Sequence, residues 1–377
     1  MKVKCLDTLE NAWTTAEDWQ RLSRQNPLLS PEWLLSWWKY YGGANQLMVL
    51  QCEDADGHVI GIAPFYLQKE FGSIAIRSLG SGDVCSDYVQ ILCEEGFENE
   101  VSLAVTDYLT DFFGRYSTTP SAYITIDGVE RDAPWLEAFC AATESQGYRN
   151  WLQPIQSSFR LTLPESMDEY LQSLGSSAKR KGKRLLSKLR AGVVTLGSSE
   201  ESGDVRASLC ELQRIHQARR TMLGQPGCFS DDRFESFMNE AVELLALRGL
   251  ARIDCCEFEG KAIAADLVLK GTDTLFMYQS GIDPAYMKLE PGHILTVASI
   301  QRAIESGVRY YDTLRGDEKY KTYWGGEAIP LVTLHCRPPH LLSQFAGYSH
   351  HRFWQLKQAA KRFLNATKSA PIAVATK

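Results

Sequence analysis

The densest group of potentially reactive side chains follows a short apolar segment near residue 311. Asp312 ends the segment VRYYD, and Arg315 and Lys321 come shortly after it. An acid at a strand end followed by two cations can bind a phosphate or an anionic sugar, because cationic side chains form charge-assisted hydrogen bonds with such oxygens. The alternative is a salt-bridge cluster on the surface. The residues taken alone leave both interpretations open.

A histidine and an arginine form a second candidate pair. His216 and Arg219 are three positions apart in LQRIHQARR, so on a helix they share a face. A neutral imidazole there could accept a proton while the guanidinium holds an anionic group. A solvated polar helix face explains the same spacing.

The third candidate site is a helix start that follows a strand. Pro291 and Gly292 open PGHILTVASIQRAIESG, and a helix start of this kind offers free N–H groups to a phosphate that can approach without meeting a Cβ. On the preceding strand only one of Tyr278 and Gln279 can face a cleft, because strand residues alternate. Asp283 then begins either a ligand-binding loop or an ordinary Asp-Pro turn. An ordinary helix start is the competing interpretation.

Two charged features stand outside these groups. Asp266 interrupts the apolar AIAADLVLK, and a carboxylate there should be paired or have a perturbed pKa, as a base or as a buried partner of an arginine. The segment from Lys179 to Arg190 holds seven basic residues and no acid. A solvated helix face is the favoured interpretation, and cofactor phosphates, a polyanionic glycan or tRNA are the alternatives.

Hydrophobic periodicity predicts a mixed α/β protein whose two halves share one order of elements. In the first half we expect a helix after the capping Ser30-Pro31, a hairpin over 46–68, strands around Ile74 and Tyr88, a helix over 97–113 and a strand over 122–129. The second half should hold a strand near 160, a helix, the basic helix, amphipathic helices over 205–223 and 231–247, a hairpin over 251–270 turning at Glu259-Gly260, then strand, helix and strand.

The two hairpins indicate an internal duplication. CEDADGHVIGIA and CEFEGKAIAAD share Cys-Glu, the turn glycine and an isoleucine three residues later, at a separation of about 200 residues, which is the size of a domain. We therefore expect domains over 1–158 and 159–338. The segment 339–377 should form a basic amphipathic helix with a frayed end. That helix could lie on an anionic membrane surface, although packing against the protein is the favoured expectation.

The charge, cysteine content and apolar stretches of the sequence narrow the classes of function that the protein can have. The first 160 residues carry 11 Lys/Arg and 22 Asp/Glu, and the remainder 29 and 24. This mild positive excess suits a small phosphorylated ligand and falls short of a DNA-binding surface. The ten scattered cysteines lack metal-site spacing and suit a reducing cytoplasm. No signal peptide or stretch of about 18 apolar residues is present, so neither export nor a membrane span is expected.

The segment DTLRGDEKYKTYWGG resembles the end of the acyltransferase domain in the FemAB-like and CelD-like branch of the GNAT superfamily. The matching elements are the Tyr311-Asp312 strand end, the Arg315-Gly316 turn, Lys321 and Trp324-Gly325-Gly326. Further similarity lies in GIDPAYMKLEPGHIL, LQRIHQARR, SPEWLLSWWKYYGG and GIAPFYL, so the resemblance covers nearly the whole chain. The sequence departs from the family pattern at Glu290, where serine is common, and at Arg220, where tryptophan is usual.

The resemblance implies two tandem GNAT-like domains, each a mixed, mostly antiparallel sheet flanked by helices. It implies an N-acyltransferase that passes an acyl group from acetyl-CoA or another acyl-CoA directly to an amine, such as an amino sugar in envelope or exopolysaccharide synthesis, without a metal. Aminoacyl transfer from tRNA and a non-catalytic scaffold are the alternatives. The residues expected to serve are His216, Tyr278, Asp283 and Asp312 in catalysis, Gln279, Gly281, Pro291, Gly292, His293 and Ile294 at the cofactor, and Arg219, Arg315, Lys321 and Trp324 at the substrate.

Overall fold

The computed structural model of the chain describes residues 1–24, 26–70, 72–115 and 121–339. The first half contains, in order, β1 (Lys2–Leu6), α1 (Leu9–Trp13), α2 (Ala16–Leu22), α3 (Pro31–Tyr41), β2 (Gln46–Glu53), β3 (Val59–Glu70), β4 (Ser73–Ser78), β5 (Leu92–Cys93), α4 (Glu98–Arg115), β6 (Ser121–Glu130), α5 (Pro134–Ser145) and β7 (Arg149–Pro154). The predicted basic helix over 339–377 lies outside the described residues, apart from residue 339.

The second half begins with β8 (Ser158–Thr162), α6 (Met167–Ser173), α7 (Ser176–Arg190), β9 (Thr195–Ser198), α8 (Ser199–Ser202), α9 (Val205–Met222) and α10 (Asp232–Leu247). It continues with β10 (Ala251–Phe258), β11 (Lys261–Lys270), β12 (Thr274–Ile282), α11 (Pro291–Glu305), β13 (Tyr310–Asp312), α12 (Lys319–Tyr323), β14 (Glu327–Ile329) and β15 (Leu331–Arg337). A 3₁₀ segment, Pro284–Leu289, joins β12 to α11.

Local signals determine most of these boundaries. The Ser30 hydroxyl accepts a hydrogen bond from the Trp33 N–H at 3.3 Å and caps α3, as expected. The β10–β11 hairpin turns at Glu259 and Gly260, which have φ of 52° and 74° and so provide the left-handed pair that a tight hairpin needs. The predicted strand at Tyr88 is wrong, because this residue has φ of 63° and lies in a loop.

The two halves form sheets of the same design. The first sheet runs β1-β2-β3-β4-β6-β15-β7, with β5 paired to β3, and the second runs β9-β10-β11-β12-β13-β8-β14. Each sheet contains one parallel pair of neighbouring strands among antiparallel ones. The parallel pair is β4–β6 in the first sheet and β12–β13 in the second. This shared order agrees with the duplication inferred from the hairpins.

The second half contributes one strand to the first sheet. The strand β15 follows the second half along the chain but lies between β6 and β7 in the first sheet, and β8 occupies the matching place in the second sheet. The expected second domain over 159–338 is corrected accordingly, because Leu331–Arg337 belongs to the first sheet. Local hydrophobic patterning marks β15 as a strand but carries no information about its partner.

A shared hydrophobic core joins the halves. Trp33 on α3 is fully buried, with its ring 4.9 Å from that of Phe237 on α10 and 4.8 Å from that of Tyr278 on β12. Two further cores lie on the outer faces of the two sheets. Cys255 and Cys256 face different cores, as expected for neighbours on a strand.

Within the described ranges, none of the helices combines the length and apolar character that crossing a membrane requires.

Candidate functional site

The second sheet opens where its parallel strands diverge. The β12–β13 ladder pairs Thr274, Leu275 and Phe276 with Tyr310–Asp312 and then ends, although β12 continues to Ile282. A bulge lies next to this point, because Gln279 is opposite Leu267 whereas Met277 is opposite Val268. In the first sheet the equivalent ladder covers five of the six residues of β4. The opening is therefore a feature of the second half.

A cavity of about 390 Å³, here called the β12–α11 cavity, occupies this opening. Its walls come from α7, α9, β11, β12, the 3₁₀ segment, α11 and α12. The lining residues are Lys181, Arg219, Asp266, Met277, Ser280, Ile282, Met287, Glu290, Pro291, Gly292, His293, Thr296 and Tyr320.

The start of α11 faces the cavity without a side-chain cap. Glu290 precedes the helix in the left-handed region, at φ of 62°, and its side chain makes no capping hydrogen bond. Pro291 has no N–H group, so the N–H groups of Gly292 and His293 are the first donors of the helix and have no intrahelical acceptor. A phosphate in the cavity would meet these donors and the positive end of the helix dipole.

Basic residues of α7 converge on the same helix start. Lys181, Arg184 and Lys188 are spaced to share one helix face, and their nitrogens lie 3.1, 2.5 and 3.6 Å from the carboxylate of Glu290. Partial burial acts to raise the pKa of Glu290, but hydrogen bonds and charge from Lys181 and Arg184 hold that pKa below its usual value. The carboxylate at this position, where the family pattern commonly has serine, is held by α7.

Asp266 is the buried acid of the cavity wall. Its side chain is 3% exposed, and its Oδ1 has no hydrogen-bond partner among the described residues. Burial raises the pKa of Asp266 to about 7, against an opposing effect of the Ser280 hydroxyl and with a further increase from Asp254. A carboxylate with a pKa near neutrality can accept a proton at physiological pH.

His293 is fixed in one neutral tautomer. The Trp324 indole N–H donates to Nδ1 of His293 at 3.1 Å. Burial, assisted by the charge of Lys181, lowers the pKa of His293, so the ring is neutral near pH 7. Because Nδ1 accepts, Nε2 carries the proton and serves as a donor. Tyr320 adds a second donor to the cavity, since burial raises the pKa of its hydroxyl and keeps it protonated.

Several of the residues expected at the cofactor lie here. Pro291, Gly292 and His293 line the cavity. So does Arg219, which was expected at the substrate and whose Nη1 contacts the Met287 sulfur at 3.2 Å. The other expected cofactor residues lie beside the cavity instead of in its wall. Ile294 is buried in the core, and Gln279 and Gly281 belong to β12. Gly281 allows α9 to approach, because a Cβ there would lie 3.0 Å from the His216 backbone nitrogen.

The residues expected to be catalytic lie outside the cavity wall. His216 is buried against Phe229, with ring centroids 5.2 Å apart, and the Arg220 Nε lies 3.4 Å from its Nε2. Asp283 caps the 3₁₀ segment through the Ala285 N–H and pairs with Lys261 at 3.0 Å. The sequence could not show that these side chains face away from the opening.

Tyr278 and Asp312 contact the first half of the chain. The Tyr278 hydroxyl donates to the Val84 carbonyl at 2.7 Å. Asp312 is fully buried and accepts hydrogen bonds from the Tyr88 hydroxyl at 2.5 Å and the Ser158 hydroxyl at 2.8 Å. Both side chains hold the two halves together, and neither faces the β12–α11 cavity.

The expected anion-binding cations are also engaged within the protein. Arg315 hydrogen-bonds to Asp87 and lies 3.2 Å from Asp127, both in the first half. Lys321 is 3% exposed and donates to the carbonyls of Leu314 and Arg315 at 2.8 and 2.9 Å. Trp324 contacts the cavity wall through its hydrogen bond to His293. Neither a surface salt-bridge cluster nor an open anion site describes this group, which forms a buried junction between the halves.

Several residues of the cavity wall were not predicted from the sequence. Ser280 and Tyr320 carry no distinguishing local pattern, and Met287 lies in a turn. The helical spacing of Lys181, Arg184 and Lys188 was available as a signal, since such a row must face a single neighbour.

The segment of the chain that forms the cavity matches a known domain family. Residues 172–322 match the family model described as an acetyltransferase (GNAT) domain. The matched segment contains α7 and α11 and therefore includes the cavity.

Solved structures resemble the chain over most of its length at low identity, which supports the two-domain fold. The crystal structure of FemX has 13% identity and a TM-score of 0.63, over 92% of this chain and 99% of that one. A conserved protein of unknown function from Bacteroides thetaiotaomicron has 13% identity and a TM-score of 0.56, over 89% and 100%. The C-terminal domain of a putative lysylphosphatidylglycerol synthetase from Agrobacterium fabrum has 11% identity and a TM-score of 0.53, over 87% and 92%. No curated protein matches the sequence.

Proposed function

We propose that the protein is an acyl-CoA-dependent N-acyltransferase that modifies the amine of an amino sugar or another small amine. The observation that carries this proposal is the coincidence, in one cavity, of an open β12 edge, an uncapped helix start and a row of cations on α7. The open edge suits an extended thiol arm, and the helix start with Lys181 and Arg184 suits the phosphates of CoA. Exopolysaccharide or envelope synthesis is the proposed setting.

The proposed reaction is direct transfer. The amine nitrogen attacks the thioester carbonyl carbon, a C–N bond forms, the C–S bond breaks, and the amine loses a proton. Asp266 is the proposed acceptor of that proton, because its pKa of about 7 leaves much of it ionised at neutral pH. Tyr320, protonated and in the cavity wall, is the proposed donor to the leaving sulfur. No side chain needs to form a covalent bond.

Calorimetry with a panel of acyl-CoAs tests the proposal. Replacing Lys181 by glutamate should weaken acyl-CoA binding by about tenfold or more, because one phosphate partner becomes a like charge. Lys183→Glu is the matched control, since Lys183 lies on the same helix, is exposed and does not line the cavity. Absence of binding by every acyl-CoA, or equal weakening by both variants, would contradict the proposal.

Transfer of an aminoacyl group from tRNA is the second candidate, supported by the remaining basic residues of α7. Salt-dependent binding of charged tRNA together with failure of all acyl-CoAs would favour it. A scaffold role would be favoured instead if Asp266→Asn left the cellular phenotype intact. A cytoplasmic location belongs to the same proposal and is supported by cysteines that are all free.

A further inference from the structure

A second cavity, of about 250 Å³, lies between the two halves of the chain and is here called the Arg160 cavity. It borders Thr274 and Tyr310, at the start of the β12–β13 ladder, whereas the β12–α11 cavity borders the far end of β12. Arg160, from β8, lines it from the second half, and Glu130 lines it from the first. The two cavities share no lining residue.

The Arg160 guanidinium is held rigidly in this cavity. Its Nε donates to Asp312 at 2.9 Å, and its centre lies 4.9 Å from the Tyr88 ring and 5.5 Å from the Tyr310 ring. Asp312 is itself fixed by Ser158. The two terminal nitrogens of Arg160 have no hydrogen-bond partner among the described residues. A guanidinium fixed on one side and open on the other is preorganised for two parallel hydrogen bonds to a carboxylate.

Glu130 gives the same cavity an acceptor that also lacks a partner. It ends β6, and within the described part of the chain its carboxyl makes no hydrogen bond or ion pair. Burial, against the opposing charge of Arg160, raises the pKa of Glu130. A half-buried carboxyl without a donor carries a desolvation cost that a hydrogen-bonding ligand would offset. The cavity thus presents an unused donor fork and an unused acceptor.

We propose that the Arg160 cavity binds a small zwitterion of the amino-acid class, with its carboxylate on Arg160 and its ammonium group on Glu130. Opposite charges in one cavity match a ligand that carries both signs, and a purely anionic ligand would be repelled by Glu130. The volume, below that of pockets for drug-sized ligands, suits a single amino acid. This site is independent of acyl transfer in the β12–α11 cavity.

Thermal-shift and calorimetric titrations of the full chain with single amino acids test the proposal. At least one amino acid should raise the Tm and bind saturably. The matching amine without the carboxyl group and the matching acid without the amino group should each bind about tenfold more weakly or worse. Failure of every amino acid at about 10 mM, or equal binding by the acid without its amino group, would overturn the proposal.

Variants that leave Arg160 in place can locate the binding site. Loss of Arg160 itself would leave the buried carboxylate of Asp312 without its cation. Glu130→Gln should weaken amino-acid binding by about tenfold while the Tm of the unliganded protein stays near that of the parent. Glu137→Gln, at an exposed acid on α5, is the matched control and should bind normally. Asp266→Asn should also bind normally, which separates this site from the proposed acyltransferase centre. Equal effects of Glu130→Gln and Glu137→Gln would overturn the assignment.

Discussion

At the scale of single residues, Asp266 is the side chain with the clearest chemical role. It is buried beneath the β12–α11 cavity, and its pKa of about 7 means that its ionised fraction changes most near neutral pH. The ionised form is the one that accepts a proton, so a reaction that depends on this base accelerates as pH rises through about 7 and levels off above it.

Asp266→Asn tests this role. We expect kcat/KM for acyl transfer to fall by about 10²–10⁴-fold and the rise in rate near pH 7 to disappear, because the amide cannot accept the amine proton. Acyl-CoA affinity measured by calorimetry should stay within about threefold of the parent value. A variant that keeps the parental pH profile would contradict the assignment.

Glu290 is the second residue with a specific expectation. Its carboxylate pairs with the same α7 cations that would contact a phosphate, so it competes with the ligand. Glu290→Gln should tighten acyl-CoA binding by about three- to tenfold at low salt, and less at high salt as screening increases. Glu305→Gln, at the exposed end of α11, is the control. Weaker binding in Glu290→Gln would show that the carboxylate helps to shape the site.

The sequence could not reveal contacts of the candidate residues whose partners are distant. Asp312 bonds to Tyr88, 224 residues away, and the Arg315 N–H bonds to Asp87, 228 residues away. The type and spacing of Asp312, Arg315 and Lys321 suit a junction as well as an anion site. Only the positions of those partners decide between the two interpretations. By contrast, the helix start at Pro291 and Gly292 could be predicted because it is a local property.

At the scale of elements, the sequence predicts what short-range physics determines. The cap of α3, the two hairpins and the long helices follow from periodicity and turn residues. The error at Tyr88 has the same origin, since the apolar residues around it resemble a strand while the backbone turns at that residue. A buried loop and a buried strand have similar compositions.

The helix α3 carries the contact that unites the halves, and Trp33→Ala measures its strength. Removing this fully buried indole should lower the free energy of unfolding by about 3–5 kcal/mol, as measured by urea denaturation. Leu103→Ala, at an exposed position of α4, should change it by less than about 0.5 kcal/mol. Similar losses in both variants would mean that α3 does not hold the interface as described.

At the scale of the whole molecule, the strand β15 makes the first sheet depend on the second half of the chain. A chain ending at Pro330 lacks β15, which leaves β6 and β7 without the strand that pairs with both. We expect this truncated protein to lose its cooperative thermal transition and to aggregate, because two inner strand edges become exposed. A chain ending at Pro339 keeps β15 and should unfold cooperatively. A cooperative transition in the shorter chain would contradict the role of β15.

The position of β15 also affects the order of events during synthesis. Thr333 hydrogen-bonds to Asp127, 206 residues earlier in the chain. The first sheet therefore stays incomplete between β6 and β7 until the ribosome has delivered nearly all of the second half. Such distant pairing slows folding and leaves exposed strand edges in the nascent chain. The protein should consequently depend on chaperones more than a chain of equal length whose domains are contiguous in sequence.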